Sequence, residues 1–184
     1  MWLQLKDFLN AFLNHCRNLL DGAAIVRMKR IIVDVDRCSG CRLCEAVCSY
    51  FHEKLFAPAA SRVTVSKEDM FGFDFPVLCF HCPRCPPIEV CPSKALKRDA
   101  AGLVYVEYGE CTGCGRCVKA CSIGAIKLHA LRHVPLICDL CGGKPLCVSR
   151  CPTKALTYSE TKNLRPKMPD KVFQETLRKW KIIA

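Results

Sequence analysis

The sequence predicts an α+β chain in which short helices and β-hairpins surround cysteine loops, with the basic unit used twice. Three observations lead there. Seventeen of the 184 residues are cysteine, about one in eleven, a level that signals a cross-linked or metal-filled scaffold. Sixteen of those cysteines fall into four quartets. The segment that ends the later quartets recurs at steps of thirty residues: Cys91-Pro92-Ser93-Lys94-Ala95-Leu96, Cys121-Ser122-Ile123-Gly124-Ala125-Ile126 and Cys151-Pro152-Thr153-Lys154-Ala155-Leu156. A fixed period of this size marks duplicated supersecondary units.

Composition narrows the class. Lys and Arg total 28 against 17 acids, for a formal charge of +11. The apolar fraction is 51%, so neither a disordered chain nor a collagen-like one fits. No apolar run reaches the length of a transmembrane helix. Met1 to Leu20 has no continuous apolar stretch and no small-residue cleavage site, and no twin-arginine pair. A cytoplasmic chain is the expectation, with reduced thiols that bind metal rather than pair as disulfides.

Along the chain, the first element is an amphipathic helix. Trp2, Leu5, Leu9, Phe12, Leu13, Cys16, Leu19 and Leu20 recur at three- and four-residue steps until Gly22. Residues 1–27 read as an added docking element or an over-long gene start, with Cys16 a small buried hydrophobe. Met28-Lys29-Arg30-Ile31 begins the core. The first quartet is Cys38, Cys41, Cys44 and Cys48, with gaps of two, two and three. The second, Cys79, Cys82, Cys85 and Cys91, has gaps of two, two and five. After it, Leu96-Lys97 and Leu103-Val104-Tyr105-Val106 flank Asp99-Ala100-Ala101-Gly102, a β-hairpin signal. The third quartet, Cys111, Cys114, Cys117 and Cys121, repeats the gaps of the first. The fourth is Cys138, Cys141, Cys147 and Cys151, with a middle gap of five. Finally, Asp170 opens a second amphipathic segment with Val172, Phe173, Thr176, Leu177, Trp180 and Ile183 as its stripe. Residues 159–184 thus form a basic tail and helix that pack on the core, dock on a larger subunit or lie on a membrane surface.

The run C-x2-C-x2-C-x3-C-P is the bacterial ferredoxin pattern for a [4Fe–4S] cluster, whose fourth cysteine serves the other cluster of a pair. Three thiolates on one tight loop grip three iron corners, and the fourth projects away after a short helical turn. Gly40, Gly113 and Gly115 let the loop backbone approach closely. Zinc uses paired C-x2-C units and four ligands per ion, so the third cysteine after each pair is a redundancy that zinc does not need. The fold expected is a duplicated two-cluster ferredoxin fold, a polyferredoxin, with amphipathic helices at both ends.

These quartets, with Cys48-Ser49-Tyr50-Phe51-His52-Glu53, Pro58, Ser61-Arg62-Val63 and Cys138-Asp139-Leu140-Cys141-Gly142-Gly143, resemble the four-cluster electron-transfer subunits of molybdenum and tungsten pterin oxidoreductases. The form beside tungsten aldehyde oxidoreductases is the nearest match. The resemblance covers about residues 29–158 of a core spanning 28–158. It implies four [4Fe–4S] clusters, with outer quartets 38–48 and 138–151 paired and inner quartets 79–91 and 111–121 paired. The implied ligand sets are Cys38, Cys41, Cys44 with Cys151; Cys138, Cys141, Cys147 with Cys48; Cys79, Cys82, Cys85 with Cys121; and Cys111, Cys114, Cys117 with Cys91. The implied partners are a large catalytic subunit with a tungsten or molybdenum pterin and an external carrier such as ferredoxin.

Two departures from the family pattern stand out. The third cysteine of the second quartet usually stands where Pro87 is here, so Cys85 predicts a distorted loop. Ser122 replaces the proline after Cys121, which leaves a hydroxyl for a nearby sulfur. His81 is read as a packed or solvent-facing residue, with a ligand role the lesser alternative.

No nucleophile–base pair, phosphate loop or dinucleotide fingerprint is present, so the chain is not expected to be an enzyme on its own. It reads as an electron-transfer subunit of an oxidoreductase complex. The alternatives are a free-standing polyferredoxin, or a subunit of a dimethyl-sulfoxide-reductase-type or hydrogenase-linked complex. A nucleic-acid module would need a basic stripe with stacking aromatics, and none is found. The basicity is better read as balance. Arg42, Arg84, Lys94, Arg116, Lys119, Arg150 and Lys154 flank the cysteines, and four oxidised clusters at about −2 each bring +11 to about +3.

Overall fold

A computed structural model of the chain describes residues 29–68 and 73–160. The two amphipathic terminal segments expected at 1–27 and 159–184 lie outside the described residues, apart from Ser159 and Glu160. The core is a series of two-stranded antiparallel sheets joined by cysteine loops and short helices. Strand β1 (Lys29–Val33) pairs with the distant β8 (Leu156–Glu160), in a register that sets Ile31 opposite Tyr158 and Val33 opposite Leu156. Strands β2 (Val63–Glu68) and β3 (Phe73–Leu78) form the second pair. The hairpin signal after the second quartet becomes β4 (Leu96–Arg98) and β5 (Val104–Val106). A shorter pair, β6 (Lys127–Leu128) and β7 (Pro135–Leu136), follows the third quartet.

Four α-helices are found among the described residues, and each follows or contains a cysteine loop. Helix α1 (Leu43–Glu53) carries Cys44 and Cys48 one turn apart. Helices α2 (Pro86–Glu89), α3 (Arg116–Ala120) and α4 (Leu146–Ser149) are single turns. Such short helices are not stable alone, and packing holds them: α1 lies on α4, and α2 on α3.

Two apolar clusters fill the interior. The larger joins Ile31 and Val33 of β1 to Val63, Phe75, Val77, Leu78, Phe80 and Leu156. The smaller holds Leu96, Val104, Ile126 and Ile137. Cys79 and Cys121 pack against both clusters and so mark their junction. Fully burying a leucine such as Leu78, Leu136 or Leu156 contributes about 1.5–3 kcal/mol.

Polar contacts tie the segment between the first two quartets to the third hairpin. Arg132 Nη2 donates to both carboxylate oxygens of Glu53, at the end of α1, at 2.6 and 2.7 Å. Arg62 and His129 lie 3.9 and 3.6 Å from the same carboxylate. Lys127 Nζ donates to Pro58 O at 2.7 Å and to Thr64 Oγ1 at 3.0 Å.

Candidate metal centres

Each quartet begins with the same backbone device. The residue just before the second cysteine is left-handed in all four loops: Gly40 (φ 62°), His81 (52°), Gly113 (67°) and Leu140 (57°). That conformation costs a side chain about 1–2 kcal/mol, which explains the two glycines and makes His81 and Leu140 notable. A one-turn 3-10 helix leads into the loop in two cases, Val35–Arg37 before Cys38 and Tyr108–Glu110 before Cys111. Three residues after the fourth cysteine, Lys94, Gly124 and Lys154 are again left-handed, so the thirty-residue sequence period is also a conformational one.

The loops close on each other rather than on themselves. Cys38, Cys41 and Cys44 line one cavity together with Cys151. Cys48 turns away from them and lines a second cavity with Cys138, Cys141 and Cys147. The two open spaces are of similar size, about 310 and 330 Å³. The half-buried Cys79 has Cys82, Cys85 and Cys121 as its neighbours. Cys117 neighbours Cys111 and Cys114 and shares its apolar cluster with Cys91.

The electrostatics suit bound metal. Burial pushes the Cys44 thiol up to about 12, helped by the adjacent Glu45. Burial likewise raises Cys117 to about 11 and drives Cys79, Cys138 and Cys147 higher still. Such thiols give up their protons only to a cation, and soft sulfur donors select iron–sulfur clusters, zinc or copper(I). Cys91 and Cys151 go the other way. Burial pushes both up, but the N–H groups of Leu96 and Leu156, with the hydroxyls of Ser93 and Thr153, outweigh it and leave them below the ordinary thiol value. Backbone amides also donate to sulfur from Arg62 to Cys48 (3.3 Å) and from His81 to Cys79 (3.4 Å).

Buried polar atoms without protein partners test the fit of an anionic group. Arg30 Nε and Nη1, Arg62 Nη1, His81 Nε2 and Ser122 Oγ are donors of this kind, while Glu45 Oε2 is a buried acceptor that an anion would not meet. Left unmet, such groups cost about 1–3 kcal/mol each, and the sulfurs of a cluster are acceptors the donors would meet. The thiol set and these orphaned donors fit [4Fe–4S] clusters.

Sequence reasoning placed His81 among packed or solvent-facing residues, and it is wholly buried. Its Nδ1 accepts from Val104 N–H at 3.0 Å. Burial, with the Arg30 and Arg98 cations, lowers its pKa to about 4. Cys85 stands directly before the single-turn α2, beside Cys121. The helix after it, α2, has four residues where α1 has eleven, and α4 after the fourth quartet's second cysteine is equally short. His52 was missed as a site residue; its Nε2 lies 3.9 Å from Cys141 Sγ and 3.5 Å from Asp139 Oδ1. The only hint was its place one helical turn after Cys48. Arg30 and Glu45 were missed too, since nothing local marks a charged residue for burial.

Cysteine loops followed by short helices and joined to two-stranded sheets define an iron–sulfur protein of ferredoxin type. Residues 70–161 match the 4Fe-4S dicluster domain family, and the chain belongs to it. The polyferredoxin-like subunit of the aliphatic sulfonate oxidoreductase of Pyrococcus furiosus is 43% identical over 123 residues, 66% of this chain and 70% of that protein. One subunit of the anaerobic dimethyl sulfoxide reductase of Escherichia coli K12 is 30% identical over 156 residues, 75% of this chain and 76% of that subunit. Among solved structures, a component of the active site complex BamBC of benzoyl coenzyme A reductase as isolated aligns with TM-score 0.45 and 28% identity, over 83% of this chain and 90% of that component. The chain is thus a non-catalytic iron–sulfur protein of the electron-transfer kind, and the relatives named here are subunits of oxidoreductase complexes. No described helix is long and apolar enough to cross a membrane.

Proposed function

We propose that the chain carries four [4Fe–4S] clusters and relays single electrons between the pterin cofactor of a catalytic partner and an external carrier such as ferredoxin. The ligand sets are Cys38, Cys41, Cys44 and Cys151; Cys48, Cys138, Cys141 and Cys147; Cys79, Cys82, Cys85 and Cys121; and Cys91, Cys111, Cys114 and Cys117. One observation carries the reading: Cys48 shares its cavity with the fourth quartet while Cys151 shares one with the first. A [4Fe–4S] cluster in such a site takes up and releases one electron. The protein supplies thiolates, backbone N–H donors and a water-poor setting.

The four sets also stand in a row. Cys44 bears on Cys147, linking the first set to the second. Cys79 bears on Cys138, linking the second to the third. The third and fourth share one apolar cluster, in which Cys85 and Cys121 meet Cys91 and Cys117. Among the described residues, exposed cysteines occur only in the end sets, Cys41 in the first and Cys114 in the last. This is the arrangement of a wire: insulated in the middle and accessible at its ends.

Residues 28–158 are the four-cluster core in this reading, with 1–27 and 159–184 serving as docking extensions. The partner we favour is a tungsten aldehyde oxidoreductase, from the likeness of Cys138-Asp139-Leu140-Cys141-Gly142-Gly143 to its iron–sulfur subunit. A partner that acts on a sulfonate is the second reading, favoured by the 43% identity to the sulfonate oxidoreductase subunit. Anaerobic purification from the native host tests both. About sixteen irons per chain and a co-purifying pterin subunit are expected, and turnover with aldehydes against sulfonates separates the partners. Zinc in place of iron, or a chain that purifies alone, overturns the proposal.

A further inference from the structure

We propose that Arg30, with Arg98 and His81 beside it, raises the reduction potential of the cluster held by Cys79, Cys82, Cys85 and Cys121. The inference rests on the ligand sets proposed above. Arg30 belongs to β1, far in sequence from this loop, yet it is only 2% exposed. Two of its guanidinium nitrogens, Nε and Nη1, are buried and have no hydrogen-bond partner. Burial disfavours its charge, the nearby Cys82 thiolate favours it, and the Arg98 cation opposes it again. So two cations act on one another and on the same cysteine loop.

Arg98 grips that loop by its backbone. Its Nη1 donates to His81 O at 3.4 Å and to Gly102 O at 3.0 Å, and its Nη2 donates to Cys82 O. His81 completes the group. Its Nδ1 accepts the Val104 N–H, so the neutral ring carries its proton on Nε2, which is buried and unpartnered. The two acids nearest His81 have other partners: Asp99 accepts from Leu103 N–H at 2.8 Å, and Asp139 accepts from Cys141 N–H at 3.0 Å.

A buried guanidinium is costly unless an anion answers it. Here the anion is the cluster itself, which with four thiolates carries about −2 when oxidised and about −3 after one electron. Fixed positive charge and an N–H donor stabilise the more negative state, so this cluster takes its electron more readily. The left-handed strain at His81, where two other loops use glycine, is consistent with a side chain kept for its effect on the site.

The test is an anaerobic redox titration of the iron-loaded full chain, followed by electron paramagnetic resonance, with a chemical reductant supplying the electrons. The relevant midpoint is the one lost in Cys82→Ser. In Arg30→Met, with iron content unchanged, that midpoint is expected to fall by the equivalent of at least tenfold in the one-electron equilibrium, about 59 mV. The other three stay in place, and Arg30→Lys recovers most of the shift. His81→Gly shifts the same midpoint in the same direction by less. If all four midpoints stay put in fully loaded Arg30→Met, the proposal is overturned. If that variant does not accumulate, the same titration of His81→Gly decides. Failure of the underlying ligand sets shows separately, as fewer than four one-electron steps or about eight irons in the unsubstituted chain.

Discussion

The first and second cysteine loops begin with identical spacing and end as different environments. In the first, Gly40 takes the left-handed position, and the chain runs into the eleven-residue α1. Its middle cysteine, Cys41, is exposed, and the charges nearby, such as the Lys67–Asp74 pair at 3.6 Å, are partly open to solvent. In the second loop His81 takes the left-handed position, Pro86 and Pro87 open a single-turn helix, and Cys82 is buried. The Arg30 and Arg98 cations both act on His81. Two loops with one binding pattern thus offer a cluster two dielectric settings. The pattern of cysteines selects the cofactor, and the side chains packed around it set how tightly an electron is held.

Substitution at the middle cysteine is the strongest way to break the comparison. Both Cys41→Ser and Cys82→Ser should lower iron by up to about four per chain. Only Cys82→Ser should also lower the melting temperature markedly, because Cys82 is 8% exposed and belongs to the larger apolar cluster. Equal melting temperatures for the two loaded variants would erase the distinction between the loops.

Removing the iron gives the next largest effect. In the metal-free fold, burial holds Cys117 at about 11 and Cys44 at about 12, against 9.0 for an ordinary thiol. Above about pH 9 the unfolded chain therefore releases protons that the fold still keeps, and stability falls as pH rises. Circular dichroism melts of the metal-free chain should show a lower midpoint at about pH 10.5 than at about pH 8. A flat or rising midpoint would mean that these thiols are not buried once the iron is gone.

The left-handed position sharpens the contrast more finely. His81→Ala takes away packing and leaves the buried Val104 N–H without its acceptor, at a cost of about 2–4 kcal/mol. Gly40→Ala should cost about 1–2 kcal/mol, mostly backbone strain. Its Cβ would meet the Asp74 carboxylate at 2.0 Å, a side chain that can swing aside. Denaturant titration ranks the two, and a larger loss at Gly40 would reverse the argument.

The smallest effect belongs to Glu53, which serves the first half of the molecule from outside the loops. Glu53→Gln weakens contacts to Arg62, His129 and Arg132. Since the Arg132 side chain is 56% exposed, about 1 kcal/mol is expected from chemical denaturation, with iron content unchanged.

Much of this was legible in the sequence because it is local. A C-x2-C run forms a tight loop wherever it occurs, and Gly40 and Gly113 announce the left-handed turn it needs. The β4–β5 hairpin was readable from Asp99 to Gly102, and its observed strands lie within a residue or two of the expected ones. His81 was ambiguous because a histidine between two cysteines looks the same whether it faces water or the core. Cys85 stood out by its early position, but the single turn begun by two prolines after it needed the structure. Glu53 looked like an ordinary helix-end charge until Arg62, Arg132 and His129 came into view around it.

By itself, then, the sequence determined the chemistry: sixteen thiols in four quartets, their spacing, and the short units around them, all set by contacts a few residues apart. The tertiary structure alone decided where those thiols meet and what surrounds them. Cys151 reaches the first loop across more than a hundred residues because β1 pairs with β8. Arg30, on β1, is buried as well. Burial of a charge is decided by what packs around it, and the groups that act on Arg30 include Cys82 and Arg98, more than fifty residues along the chain.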